Sequence, residues 1–376
     1  TLVGLQYVTA RVVLIAALVI AQQVSYFFGK GLGYNKEYIV TASVPRDWTP
    51  EGVQKMKTVR DVFEKIPSVK NVSLSYVIPD GGIGFQITAF KSGGDPNAAV
   101  TAQGLVTDES YLETYQIPLL AGRYFSPAGT STGQVVINKK AMESYGFKSA
   151  EDAIGQQLSQ RGEGEPLIVQ GVIDDFHFES MQQEIKPQLF FSVDVVPNYR
   201  YLSFKLNPGS IDESLQDIET TWGKVLPGSS FEYTFMDDTL ANVYAGEIQF
   251  KKAANTATIL ALLIALLGIF GMVALSIDKR VKEIGIRKVL GASVTSVGLL
   301  FMKEFLVILV VSILIACPIG YWFVQDWLQN YAYRIPIDIH PFLIAILLVG
   351  SITAALVLLQ TLKIARANPV ESLKTE

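Results

Sequence analysis

The segment KRVKEIGIRKVLGA, residues 279–292, carries lysine or arginine at five of its first ten positions. A long apolar run at 253–277 precedes it, and another at 305–325 follows it. Membrane proteins concentrate lysine and arginine in the cytoplasmic loops that join their spanning helices. The pattern therefore predicts a cytoplasmic turn between two transmembrane helices.

Composition agrees with a membrane protein. The 376 residues are 49% hydrophobic and 18% charged, whereas soluble domains carry about 25% charged residues. A spanning helix needs about 20 mainly apolar residues, and four stretches reach that length. The predicted layout is transmembrane helix 1 at 1–28, a periplasmic domain at 29–237, a stalk with transmembrane helix 2 at 238–277, a cytoplasmic loop or helix at 278–293, transmembrane helix 3 at 294–327, a short periplasmic loop at 328–340, transmembrane helix 4 at 341–362 and a cytoplasmic tail at 363–376.

Counts of lysine and arginine predict the orientation. The loop at 278–293 carries five such residues, whereas the loop at 326–340 carries Arg334 alone. The side rich in lysine and arginine is the cytoplasmic one, which places both termini in the cytoplasm and the large domain outside. Arg11, inside the first apolar run, is expected to lie near the cytoplasmic headgroups and to extend its charged end to them. The alternative is an intramembrane charge on a transport path.

Strand-like and helix-like patterns alternate between the first two spans. Apolar residues at helical spacing predict one helix near 50–63, with Thr49 as its N-cap, and a second at 210–225. Predicted strands are 38–44, 69–78, 85–90, 99–107, 134–138, 167–174, 188–193, 201–206 and 230–236. A strand-helix-strand order at each end, with a strand-rich middle, predicts a split α+β unit that carries an inserted β-rich subdomain. The predicted fold class is an α-helical membrane protein with four transmembrane helices and this large α+β periplasmic domain.

The acidic pair Asp237-Asp238 predicts the start of a helix that continues without interruption into the second span. Such a helix can transmit a displacement, which a loop cannot. Small residues recur along this span at a spacing that lets another helix approach closely, and the alternative is a row of small residues that faces lipid. The predicted helix-packing face consists of Ala257, Ala261, Ala265 and Gly268.

No motif for nucleotide binding or catalysis is found, since GxxxxGK[ST], GxSxG and HExxH patterns do not occur in the sequence. The single cysteine excludes an intrachain disulfide, and a net charge of −4 without a basic face argues against nucleic acid. The segment DDFHFE at 174–179 allows two interpretations. Asp174, Asp175 and His177 are either a metal or acid–base site, or part of a strand end whose alternating phenylalanines pack in the core. Period-two alternation favours the packing interpretation.

The charged segment 279–293 resembles the signature of the MacB/FtsX-type ABC transporter permeases. Further pieces that resemble the same family are LQY at 5–7, QQVSY at 22–26, LGYNK at 32–36, DFHFES at 175–180 and ARANPVESLKTE at 365–376. The resemblance is greatest to the second half of the duplicated permeases of Gram-negative bacteria, which carry two four-span units in one chain. A first residue other than methionine fits that expectation. Arg11 departs from the family, in which this position is usually small or polar.

The resemblance implies that this chain is non-catalytic and holds no cofactor. In such permeases the loop between spans two and three contacts a separate ATPase, which binds Mg-ATP and drives motion of the periplasmic porter and sabre subdomains. The loop residues implied to dock on the ATPase are Lys279, Arg280, Lys282, Glu283, Ile284, Gly285, Arg287, Lys288 and Gly291. From the residues alone, an amphipathic helix on the membrane surface is an equally good interpretation.

Further implied partners are a second permease half or a homodimer partner, membrane lipids, and a periplasmic adaptor or outer-membrane channel. The implied location is the bacterial inner membrane. Three functional hypotheses follow. The first is an export or efflux permease. The second is an FtsX- or Lol-like protein that regulates periplasmic hydrolases or releases lipoproteins. The third is a membrane-anchored periplasmic enzyme. The extended periplasmic domain favours the first.

Overall fold

The computed structural model describes residues 2–82, 84–127, 132–162, 164–278 and 294–365. They form two compact units. The helical unit comprises the chain up to Tyr26 and from Gly246 onward, and the α+β domain comprises Phe27–Ala245.

The described helices are α1 (Leu2–Phe27), α2 (Pro50–Phe63), α3 (Tyr111–Tyr115), α4 (Lys139–Ser144), α5 (Ala150–Ala153), α6 (Ile211–Val225), α7 (Met236–Val243), α8 (Ala245–Asp278), α9 (Val294–Leu328) and α10 (His340–Ala365). The described strands are β1 (Ile39–Ser43), β2 (Val69–Ser75), β3 (Phe85–Lys91), β4 (Val100–Thr107), β5 (Leu119–Gly122), β6 (Gln134–Asn138), β7 (Gln157–Gln160), β8 (Leu167–Ile173), β9 (Gln188–Ser192), β10 (Tyr201–Leu206) and β11 (Tyr233–Phe235).

Four strands of the α+β domain form an antiparallel sheet in the order β11-β1-β10-β2. They belong to two strand-helix-strand units, β1-α2-β2 and β10-α6-β11. At the start of α2 the Thr49 hydroxyl accepts a hydrogen bond from the Gly52 amide at 3.0 Å. The two helices share one core, since the ring of Phe63 lies 5.2 Å from that of Phe204 and 5.9 Å from that of Trp222, between centroids.

The residues between β2 and β10 form a second group of strands. The described strands of this group run in the order β4-β3-β7-β8-β6-β9, and β9 pairs back with β4, so they close into a ring. β5 pairs with β8 beside the ring. The ring joins the four-stranded sheet where Ser75 of β2 lies opposite Thr107 of β4. The predicted split α+β unit with an inserted β-rich subdomain is confirmed.

The helical unit contains four described helices that are long and apolar enough to cross a membrane, α1, α8, α9 and α10. With 26 residues, α1 is about 39 Å long, which exceeds a hydrocarbon layer of about 30 Å. Val3 and Tyr7 of α1 pack against Phe305, Val349 and Val357 inside the unit. Many large apolar side chains point outward instead, as expected for helices that face lipid.

The helix predicted to run unbroken from residue 238 into the second span is interrupted, so this prediction is wrong. α7 ends at Val243, Tyr244 has a non-helical backbone (φ −106°, ψ 23°), and α8 begins at Ala245. Gly246, which the sequence interpretation overlooked, follows at once and costs a helix about 1 kcal/mol relative to alanine. The ring of Tyr244 is fully buried against the α+β domain.

Candidate functional site

The residues predicted to dock on an ATPase lie outside the described part of the chain, and their role stays a prediction. They are Lys279, Arg280, Lys282, Glu283, Ile284, Gly285, Arg287, Lys288 and Gly291. The chain is helical on both sides of this segment, since α8 ends at Asp278 and α9 begins at Val294.

Within the predicted helix-packing face on α8, Gly268 closely approaches α1. Ala265 is 4% exposed, and a Cβ added at Gly268 would lie 1.9 Å from Oε1 of Gln6 on α1. The two helices therefore approach closely at this level, where a side chain on residue 268 would displace Gln6. Ala257 is exposed and Ala261 is half-buried, so neither takes part in this contact to the same degree.

Arg11 does not extend to the headgroups as expected, because its side chain is fully buried in the helical unit. Nη1 donates a hydrogen bond to the hydroxyl of Ser312 on α9. The guanidinium carbon lies 5.5 Å from the centre of the Tyr7 ring, and the Tyr7 hydroxyl is 2.9 Å from the Thr353 hydroxyl on α10. Arg11 is therefore contacted by Ser312 of α9 and by Tyr7 of its own helix, and Tyr7 in turn contacts Thr353 of α10.

The segment at 174–179 follows β8 and packs as the period-two interpretation predicted. Phe176 and Phe178 are 0% and 3% exposed. Between them His177 is also buried, and burial lowers the pKa of its imidazole from the ordinary 6.5 to about 4. The ring is therefore neutral at physiological pH, and its backbone amide donates to the carbonyl of Leu32 at 2.8 Å.

Asp175 has a structural role in the same segment. Its carboxylate accepts hydrogen bonds from the side chain of Asn138 and the amide of Lys140, both at 2.9 Å, which fixes the start of α4. Burial raises the pKa of Asp175 against these hydrogen bonds. Among the described residues no group of three or more histidine, cysteine, aspartate or glutamate side chains could hold a metal ion. The acid–base and metal interpretation of Asp174, Asp175 and His177 thus receives no support from the geometry.

Residues that follow this segment help to hold together the two ends of the α+β domain. The rings of Phe27, where the chain enters, and Tyr244, where it leaves, stack with centroids 4.5 Å apart and planes 8° apart. The Tyr244 hydroxyl accepts a hydrogen bond from the amide of Met181 at 2.9 Å. We name Phe27, Gly33, Phe176, Met181 and Tyr244 the junction cluster. It fixes the entry and exit segments to each other and to the residues that follow β8.

Gly33 is required in this cluster for two reasons. Its φ is +77°, a left-handed conformation that other residues rarely adopt. A Cβ at this position would also lie 2.5 Å from the carbonyl oxygen of Asp175 and 2.7 Å from the Cα of Phe176. The LGYNK piece and the DFHFES piece, 140 residues apart in the chain, therefore meet backbone to backbone. Sequence patterns marked both pieces but gave no sign that Tyr244 joins them.

A buried ionic cluster, also not predicted from the sequence, joins α2 to the end of β4. Arg60 contacts the carboxylates of Asp108 at 2.6 Å and Glu109 at 2.9 Å, and Lys57 lies 3.2 Å from Glu109. Burial would raise the pKa of Glu109, but the hydrogen bond and charge of Arg60 hold it below its usual range. These contacts cross from the four-stranded sheet to the ring and stabilise their junction.

Fold and geometry together define a helical membrane protein whose mixed α+β domain is inserted after the first span. A model of the MacB-like periplasmic core domain matches residues 9–221, and a model of the FtsX-like permease C-terminal region matches residues 255–369. The first match alone spans more than half of the chain. The chain belongs to the MacB/FtsX-type ABC transporter permeases.

Two solved structures are also similar to this chain. The periplasmic region of MacB from Actinobacillus actinomycetemcomitans is 12% identical with a TM-score of 0.40, covering 58% of this chain and 97% of that one. The extracellular domain of the noncanonic ABC-type transporter YknZ from Gram-positive bacteria is 15% identical with a TM-score of 0.36, covering 52% and 97%. A comparison with curated proteins gave no significant match.

Proposed function

We propose that this chain is the permease, or one half of the permease, of an ABC transporter that exports a periplasmic substrate. ATP hydrolysis on a separate ATPase subunit, which holds the Mg-ATP, moves the segment 279–293. The spans transmit that motion to the α+β domain, which lies in the periplasm while both termini are cytoplasmic. The permease acts as a dimer with a second half or a second copy, in the inner membrane, and delivers substrate to an adaptor or outer-membrane channel.

The junction cluster is the observation that best supports this proposal. Phe27 is the last residue of α1, and Tyr244 directly precedes α8. Their rings stack with centroids 4.5 Å apart. The two chain segments that lead to spans 1 and 2 are thus fixed to one another. The hydrogen bond from Met181 to Tyr244 ties them to the body of the domain. A displacement of either segment would move the domain as a whole, even though the stalk helix is interrupted.

Export is preferred to the other hypotheses for physical reasons. A membrane-anchored enzyme would need accessible catalytic groups, but His177 is buried and the carboxylate of Asp175 accepts hydrogen bonds from Asn138 and Lys140 at the start of α4. A regulator of periplasmic hydrolases or of lipoprotein release uses the same spans. The large inserted ring gives this domain a surface beyond the split α+β unit, and an exporter needs such a surface to contact its substrate and adaptor.

The first experiment tests ATPase docking. The full chain is co-expressed with its ATPase, and Arg287→Glu combined with Lys288→Glu is expected to abolish co-purification. A matched control reverses Lys251 and Lys252 on α8, which are also adjacent cations, and is expected to leave co-purification intact. Equal recovery of ATPase with both pairs would show that the segment is a membrane-surface anchor and does not dock.

The second experiment tests transmission through the junction cluster. Tyr244→Ala removes the stack on Phe27 and the hydrogen bond from Met181, while Tyr244→Phe removes only the hydrogen bond. Both variants are expected to bind the ATPase normally. ATP-dependent changes in hydrogen exchange of the α+β domain are expected to disappear in Tyr244→Ala and to persist in Tyr244→Phe. Unchanged ATP-dependent exchange in Tyr244→Ala would refute the role of the cluster.

A further inference from the structure

Five side chains form a continuous row on the surface of the α+β domain, which we name the Arg–aromatic ladder. Its members are Arg46, Trp48, Tyr76, Arg200 and Tyr201. The guanidinium carbon of Arg46 lies 5.9 Å from the Trp48 ring centre, and Trp48 meets Tyr76 edge to face at 6.0 Å. The guanidinium carbon of Arg200 lies 5.6 Å from Tyr76 and 5.2 Å from Tyr201. Arg46 and Trp48 are exposed, and the other three are half-buried.

The two arginines of the ladder have no carboxylate partner in the described part of the chain. Two aspartates lie close in sequence to members of the ladder, but each carboxylate accepts a hydrogen bond from a residue two positions further along the chain. Asp47 accepts a hydrogen bond from the Thr49 hydroxyl at 2.7 Å, and Asp80 accepts one from the Gly82 amide at 2.8 Å. A guanidinium group that stacks on rings keeps its N–H donors free along its edge, where they match the two oxygens of a carboxylate.

The backbone holds the ladder in a fixed position. Arg46 and Trp48 follow β1, Tyr76 follows β2, and Arg200 precedes β10. The Trp48 indole donates to the carbonyl of Tyr199 at 2.9 Å, and the Arg200 amide donates to the carbonyl of Ser75 at 2.9 Å. The ladder therefore marks the place where the inserted ring leaves the four-stranded sheet and rejoins it. A side-chain row held at three strand ends is ordered before any partner binds, which lowers the entropy cost of binding.

We propose that the Arg–aromatic ladder binds an acidic segment of a partner protein. Carboxylates of that segment pair with the edges of Arg46 and Arg200, and an apolar side chain beside them packs on Trp48, which is 44% exposed. Arginine, tryptophan and tyrosine are the residues that dominate the energy of protein interfaces. The complementary charge selects an acidic partner.

The ladder lies at the opposite end of β1 from the points where the chain enters and leaves the α+β domain. The chain enters the domain before Ile39, and β11 leaves it opposite Val40, both at the start of this strand. The ladder follows Ser43, at the other end, about 13 Å away. The segments that continue into the spanning helices therefore depart from the end of the sheet that lacks the ladder.

The test measures peptide binding to the full chain in nanodiscs of zwitterionic lipid, without ATPase or nucleotide. The probe is a short fluorescein-labelled peptide of glutamate, leucine and alanine, followed by fluorescence anisotropy. Versions with glutamine or lysine in place of glutamate are expected not to bind. Arg46→Gln combined with Arg200→Gln is expected to weaken binding of the acidic peptide about tenfold or more. Arg200→Lys keeps the positive charge but lacks the planar guanidinium group with its paired N–H donors. Its affinity for the acidic peptide is expected to lie between those of the unchanged chain and the double variant.

Arg161→Gln is the matched control, since Arg161 is exposed elsewhere on the same domain, and it is expected to bind the acidic peptide as well as the unchanged chain. Comparable binding of the lysine peptide, or undiminished binding by the double variant, would overturn the proposal. So would a stronger ladder-dependent affinity for phosphatidylglycerol vesicles, which would assign the site to lipid. Because no ATPase is present, this outcome is independent of whether ATP coupling proves correct.

Discussion

Replacing Gly33 by alanine is expected to destabilise the α+β domain more than replacing Gly146, and the two positions separate two physical effects. Both glycines have φ of +77°. Alanine in this conformation costs about 1–2 kcal/mol at either position. Only at Gly33 would the added Cβ meet backbone atoms, at 2.5 Å and 2.7 Å, whereas nothing lies within 4 Å at Gly146. Overpacking against atoms that cannot rotate away adds about 1–3 kcal/mol, so the expected loss is about 2–5 kcal/mol for Gly33→Ala.

The assay is urea unfolding of the full chain in detergent micelles. Tryptophan fluorescence reports on the α+β domain when Trp322 and Trp327 of the helical unit are replaced by phenylalanine, because Trp48 and Trp222 then remain. Gly209→Ala is a second control, since this glycine has neither a positive φ nor a neighbour within 4 Å. Its free energy of unfolding is expected to stay within about 1 kcal/mol of the unchanged chain.

Equal losses of free energy of unfolding in Gly33→Ala and Gly146→Ala would contradict this prediction. That result would mean that the close approach of residue 33 to the segment after β8 does not constrain the domain. If both variants instead match Gly209→Ala, the left-handed backbone itself would be unimportant at these positions.

Three further predictions concern buried ionisable groups. Because burial lowers the pKa of His177 to about 4, the unfolded chain alone binds a proton between pH 6.5 and 4. The free energy of unfolding should therefore fall by up to about 3 kcal/mol as the pH drops through this window, and His177→Gln should flatten the pH curve measured by urea unfolding. Arg60→Met should cost about 3–5 kcal/mol because it leaves the buried carboxylate of Asp108 without its cation, whereas Asp61→Asn, at a more exposed partner of Arg60, should cost less than about 1 kcal/mol. In the helical unit, Arg11→Met should leave the thermal midpoint in micelles unchanged or raised, because apolar replacement of a buried charge is often neutral or stabilising; a clear drop would show that the contact to Ser312 stabilises the unit.

Much of the fold can be predicted from local sequence patterns that do not depend on tertiary contacts. The four spans are long apolar runs, and helices as long as α9 are recognisable from composition alone. In the α+β domain, Thr49 and Pro50 define the start of α2, and in strands such as β10 the apolar residues alternate with polar ones. The four-residue elements α5 and β7 were not predicted because they are too short to establish a period.

The interrupted stalk illustrates what local patterns omit. Apart from Gly246, the residues on both sides of Tyr244 favour a helix, so local patterns predicted a continuous one. At the break, the ring of Tyr244 stacks on Phe27, which is more than 200 residues away in the chain. Arg11 is similar, because a single arginine in an apolar run predicts extension to the headgroups unless other helices supply partners. Ser312 and Thr353, on two other helices, give no sign of that role in the sequence.

By itself, the sequence determined the number of spans, the position of the inserted domain and the segment expected to contact an ATPase, because hydrophobic length and charge density are local properties. Tertiary structure alone decided which residues join the ends of the α+β domain, and it alone brought Arg46, Trp48, Tyr76 and Arg200 into one row. Those contacts join residues from separate strand ends and from the two ends of the α+β domain. Their distances depend on how the whole domain folds, which no local pattern encodes.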